Sequence, residues 1–83
     1  MAYREKAVAE YELGKYVEAL KTLELALTVK KTYDEAYYWM GRCYEKLGKK
    51  EEAVENYQMA LQFAEGHDYP EAKDALGKMG IVQ

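Results

Sequence analysis

Apolar residues recur at three- and four-residue steps along most of this chain. One run places Ala19, Leu20, Leu23, Ala26 and Leu27 in that rhythm, and another does the same with Ala53, Val54, Tyr57, Ala60 and Leu61. Such steps gather side chains on one face of an α-helix, and the alanines mark where a neighbouring helix comes close. The pattern predicts helices over roughly 2–13, 16–30, 34–47 and 50–64. Gly14 and Gly48 suit the left-handed residue just past a helix end, and the fourth helix is expected to stop near Gly66. Thr32-Tyr33-Asp34-Glu35 has capping-box spacing and is expected to start the third helix. A fifth helix is expected over about 70–80. Pro70 lies in its first turn, and Asp68 or Tyr69 is its expected N-cap. The expected fold class is all-α, with about five helices.

The pattern repeats. Shifted by 34 residues, Ala2 meets Ala36, Tyr3 meets Tyr37, and Leu13-Gly14-Lys15 meets Leu47-Gly48-Lys49. Glu18-Ala19 meets Glu52-Ala53, and Ala26-Leu27 meets Ala60-Leu61. Ala7 with Gly41, Ala9 with Cys43, Leu25 with Met59 and Val29 with Phe63 keep the same register. A sustained period of this length marks a helical-repeat architecture. The units read as repeat 1 over about 1–33, repeat 2 over about 34–67, and a closing helix over about 70–80, all in one domain spanning 1–83. In the last segment Ala72, Ala75, Leu76 and Met79 can cover the apolar flank of the fourth helix.

The repeating unit resembles the tetratricopeptide repeat. In the second unit Tyr37, Met40-Gly41, Tyr44, Gly48, Ala53, Tyr57 and Ala60 occupy the signature positions. In the first, Tyr3, Ala7, Gly14, Tyr16, Ala19, Leu23 and Ala26 fit. Lys6 stands where the family prefers leucine and Glu10 where it prefers an aromatic, so a wetter first repeat is expected. The resemblance implies a right-handed superhelical stack of antiparallel helix pairs. Its concave groove is lined by the first helix of each repeat and binds a peptide or helix of a partner protein. Carried over position by position, the groove residues are Arg4, Val8 and Tyr11, then Tyr38, Trp39, Arg42 and Glu45. The helical phase agrees. Tyr37, Met40, Gly41 and Tyr44 form the core stripe, which turns Tyr38, Trp39 and Arg42 partly outward. Trp, Tyr and Arg are enriched at interface hot spots. Ordinary packing of Trp39 against the first helix is the competing reading. A carboxylate clamp of the chaperone-binding kind is not expected, because the only asparagine, Asn56, falls on a second helix.

Composition narrows the function. A net charge of −3 argues against nucleic-acid binding. No run approaches the roughly 20 apolar residues of a membrane span. One cysteine, Cys43, cannot form an internal disulfide, and a reducing, cytoplasmic setting is expected. Cys43 reads as a buried inert thiol and His67, the only histidine, as a solvated turn residue. No constellation for catalysis, metal or cofactor binding emerges. Of the nine tyrosines, Tyr11, Tyr33, Tyr38 and Tyr69 are expected to be free of core duty. The chain therefore reads as a non-catalytic interaction module, an adaptor or scaffold element. The alternatives are a homodimer built through exposed end faces and the apolar tail Ile81-Val82, or a piece of a longer repeat scaffold.

Overall fold

The computed structural model describes residues 3–64 and 68–81, which form five helices. These are α1 (Tyr3–Glu12), α2 (Tyr16–Val29), α3 (Asp34–Lys46), α4 (Lys50–Phe63) and α5 (Pro70–Lys78). The fold is all-α, with each helix packed on the next and α1 also touching α3. The expected end of α4 near Gly66, and the residues His67 and Val82, lie outside the described residues.

Gly14 and Gly48 end the first helix of each pair with φ of +79° and +75°. At each, two backbone bonds close the helix. Gly14 N donates to Tyr11 O and Lys15 N to Glu10 O, at 3.0 and 2.8 Å. Gly48 and Lys49 repeat this on Glu45 and Tyr44. These are Schellman closures, and they turn the chain sharply enough to bring the second helix back antiparallel. Ile81 N repeats the long bond of this pattern on Leu76 O and packs its side chain beside Leu76.

Helix starts follow a different logic from the one expected. The N-cap of α3 is Tyr33 and makes no side-chain cap bond, so the expected capping box from Thr32 to Glu35 does not form. Tyr33 N is already tied to Lys30 O in the preceding turn, which delays the helix by one residue and leaves Thr32 exposed. The N-cap of α5 is Tyr69, not Asp68, with Pro70 following. Lys15 and Lys49, the N-caps of α2 and α4, also lack side-chain caps. Acids in the first turns compensate: Glu18, Asp34 with Glu35, Glu51 with Glu52, and Glu71. Their charges favour the positive helix ends.

The core is built largely of alanine. Ala7, Ala19, Ala26, Ala36, Ala53, Ala60 and Ala72 are buried, and they let backbones approach closely around Leu23, Tyr57 and Leu76. Ala72 and Leu76 seal α4, with Ala75 and Met79 half-buried at the margin. Tyr69 is buried too, contrary to the expectation that it is free. Its ring meets Tyr38 at a centroid distance of 5.4 Å, so the start of α5 is docked on α3 through an aromatic pair.

The two departures in the first repeat turn out to be partners. Lys6 Nζ donates to Glu10 Oε2 at 3.1 Å and to Thr22 Oγ1 at 3.2 Å, and the Thr22 hydroxyl donates to Glu10 Oε1 at 2.6 Å. Thr22 is 97% buried, so its hydroxyl requires this bond. A three-membered polar lock thus joins α1 to α2. One repeat later the equivalent positions are Met40, Tyr44 and Asn56, and Asn56 settles its amide on Glu52 O at 2.8 Å.

Candidate functional site

The first helices of the two pairs, with α5 beside them, border an open concavity of about 480 Å³. Tyr11 of α1 lies on one side, and Tyr38, Arg42, Glu45 and Lys46 of α3 line the middle. Glu71, Asp74, Ala75 and Lys78 of α5 form the far wall, with Tyr57 of α4 also in the lining.

Arg42 is the centre of its chemistry. Its guanidinium carbon lies 4.8 Å from the ring centre of Trp39, 4.9 Å from Tyr11 and 5.9 Å from Tyr38. The rings support one another. Trp39 meets Tyr11 edge-on at 5.5 Å and Tyr38 edge-on at 5.5 Å, while Tyr38 also leans on Tyr57 at 5.8 Å. Cation–π attraction of this kind is worth about 0.5–2 kcal/mol per ring, more where water is displaced. Burial works against the charge on Arg42, but the phenols of Tyr38 and Tyr11 outweigh it and shift the pKa upward, so the group stays cationic.

Helical phase explains why these residues meet. Tyr38 and Arg42 are one turn apart on α3, and Trp39 sits beside them on the flank facing α1. Short turns closed by Gly14 and Gly48 keep α1 and α3 side by side. The two readings of Trp39 are therefore joined. It is half-buried, packed on Tyr11, and carries the guanidinium that faces the concavity.

The expected groove residues divide. Tyr11, Tyr38, Arg42 and Glu45 share the concavity, and Trp39 lies directly behind Arg42. Glu45 has a structural task as well, accepting a hydrogen bond from the buried Tyr57 hydroxyl. Burial first, then that bond to a carboxylate, push the Tyr57 pKa far upward, which keeps the phenol protonated. Val8 is half-buried and does not line the concavity. Arg4 lies elsewhere, paired with Glu35 of α3 at 3.2 Å, in a second hollow bordered by Tyr3, Val29 and Tyr33. The sequence missed the contribution of α5, because a helix that breaks the 34-residue period gives no register from which to read its face.

Cys43 is fully buried, and burial raises its thiol pKa to about 11. Among the described residues no cluster of three His, Cys, Asp or Glu side chains is placed to hold a metal ion. No helix among them is long and apolar enough to cross a membrane.

The family model described as TPR repeat matches residues 7–48, and the model described as tetratricopeptide repeat matches 34–67. The chain belongs to the tetratricopeptide repeat family. Tetratricopeptide repeats are generally protein–protein interaction modules, and proteins carrying them generally bind partner proteins. The first match runs from Ala7 through Gly48 and so covers α2, α3 and most of α1. The second covers α3 and α4, whose buried Gly41–Tyr57 contact and Gly48 turn sit inside the matched repeat. No match was found among curated proteins.

Proposed function

We propose that this tetratricopeptide repeat chain is a non-catalytic adaptor that binds a peptide or helix of a partner protein in the concavity between α1, α3 and α5. One observation carries the reading. Arg42 is held over Tyr11, Tyr38 and Trp39 at the edge of an open hollow instead of being folded onto a carboxylate. Aromatic–arginine clusters of this sort supply the buried anchors of interfaces, because the rings offer large contact area with few rotatable bonds and hold the guanidinium in place. In this account the chain works as one domain, with repeats over about 1–33 and 34–67 and a closing helix over about 70–80. A reducing, cytoplasmic setting suits its single buried cysteine.

The test is affinity capture from source-cell lysate with the wild type and with Trp39→Ala/Arg42→Glu, after circular dichroism has shown equal helicity. A protein retained by the wild type and lost from the variant supports the groove. Identical eluates from the two baits contradict it.

A second reading has its own observation. Leu25 and Val29 share a face of α2 and are 52% and 76% exposed, whereas their counterparts Met59 and Phe63 are half-buried. Self-association through this face would cover them. It predicts a sedimentation coefficient that rises with concentration and falls back in Leu25→Lys/Val29→Lys.

A further inference from the structure

Resting on the groove reading above, we infer that the concavity selects an acidic peptide segment, one that presents side-chain carboxylates of Asp or Glu next to an apolar residue. The hollow carries charges of both signs. Its acids are Glu45, Glu71 and Asp74, and its bases are Arg42, Lys46 and Lys78. Three of these charges are engaged within the chain. Asp74 pairs with Lys78 at 3.5 Å along α5, and Glu45 accepts the Tyr57 hydroxyl. Among the described residues, no carboxylate comes within ion-pair distance of Arg42 or Lys46. The two cations without an ion pair therefore sit together on α3, one turn apart, with β-carbons roughly 6 Å from each other, while Glu45 keeps its charge beside them and Glu71 stands on the α5 wall.

The two cations are not equivalent. Lys46 is exposed, so a carboxylate meeting it gains little beyond steering. Arg42 is half-buried against three rings. Part of its water is already displaced, its side chain is held in one place beside the Tyr11 hydroxyl, and no carboxylate among the described residues comes within ion-pair distance of it. A carboxylate arriving there forms charge-assisted hydrogen bonds without first having to order the arginine. Guanidinium matches a carboxylate in a planar, two-bond geometry that lysine cannot reproduce. Tyr11, Tyr38 and Ala75 beside it provide the apolar footing for the neighbouring residue of the segment. A basic segment is disfavoured, since it would bring a cation against one that has no counter-ion.

The experiment is selection of a random dodecapeptide display library on the immobilised full chain, in parallel on Arg42→Gln, Arg42→Lys and Trp39→Ala, all checked for equal helicity. The expected result is enrichment of peptides with at least twice the library frequency of Asp plus Glu and a depletion of Lys plus Arg. Synthetic copies with blocked ends should bind the wild type at least tenfold more tightly than Arg42→Gln, with Arg42→Lys restoring only part. Replacing their acids by Asn and Gln should abolish binding. Neutral or basic consensus peptides that still lose binding in Trp39→Ala would overturn the acidic preference and leave the groove standing. So would acidic peptides that bind Arg42→Gln undiminished, or binding that needs a free C-terminal carboxylate. Peptides indifferent to all three variants, or no enrichment at all, would overturn the groove itself and this inference with it.

Discussion

Gly41 lies directly against the ring of Tyr57: a β-carbon added to the glycine would stand 2.6 Å from Tyr57 Cε1 and 2.7 Å from Cδ1. Tyr57 is fully buried and cannot retreat. The first repeat places Ala7 and Leu23 at the same two positions, so the repeats fill one volume in two ways. Gly41→Ala should therefore destabilise the fold by about 1–3 kcal/mol, the usual cost of overpacking a core. Gly41→Ala/Tyr57→Leu, which installs the first repeat's solution, should lose less than the sum of its single variants. Urea unfolding of the four proteins, treated as a double-mutant cycle, measures the difference.

The Tyr57 hydroxyl belongs to a buried side chain at the floor of the concavity and donates to Glu45. Removing the hydroxyl leaves Glu45 with water in its place. Tyr57→Phe should cost about 0.5–1.5 kcal/mol. Glu45→Leu should cost more, because the buried hydroxyl would then have no acceptor. Thermal melts should rank the two variants in that order.

The polar lock gives the first repeat a pH dependence. The hydrogen bond from Thr22, then the neighbouring Lys6, hold Glu10 below the ordinary carboxylate value of 4.5, against the opposing effect of burial. A depressed folded pKa contributes stability that is present above about pH 4.5 and is lost as pH falls through the folded value. Thr22→Val should destabilise by about 1–2 kcal/mol at pH 7. The gap between variant and wild type should narrow as the pH falls below 4.5 and Glu10 takes up its proton. Urea midpoints between pH 3 and 7 report this.

Cys43 should be silent until the protein opens. It is fully buried, and burial lifts its thiol from 9.0 to about 11. At pH 8 an aromatic disulfide reagent should react no faster than the chain unfolds, and the rate should rise with urea. Because the folded pKa is raised, the unfolded thiol ionises first. Stability should therefore be intact below about pH 9 and decline as pH climbs toward 11.

The helices were legible in the sequence because each signal is local. The three- and four-residue rhythm fixed the elements, and Gly14 and Gly48 fixed the turns. The Lys6–Glu10–Thr22 lock was not legible. Lys6 and Glu10 are four apart and could be paired on paper, but Thr22 joins them from another helix, and only tertiary packing brings it there. Tyr69 misled for the same reason. Beside Pro70 it looked like loop, yet the angle of α5 presses it onto Tyr38. At the candidate site helical phase gathers the α3 residues, and Tyr38, Arg42 and Glu45 do line one hollow, whereas Arg4 is drawn away by Glu35, a partner that no periodicity marks.

The most direct test of the account is to map a bound peptide onto the chain by nitrogen–proton NMR, using the labelled wild type and a peptide selected on it. The account predicts shifts concentrated on Tyr11, Tyr38, Arg42, Lys46 and α5, with a large change at the Trp39 indole N–H, all abolished by Arg42→Glu. Shifts centred instead on Leu25 and Val29, or unchanged by Arg42→Glu, would place recognition on another face and contradict it.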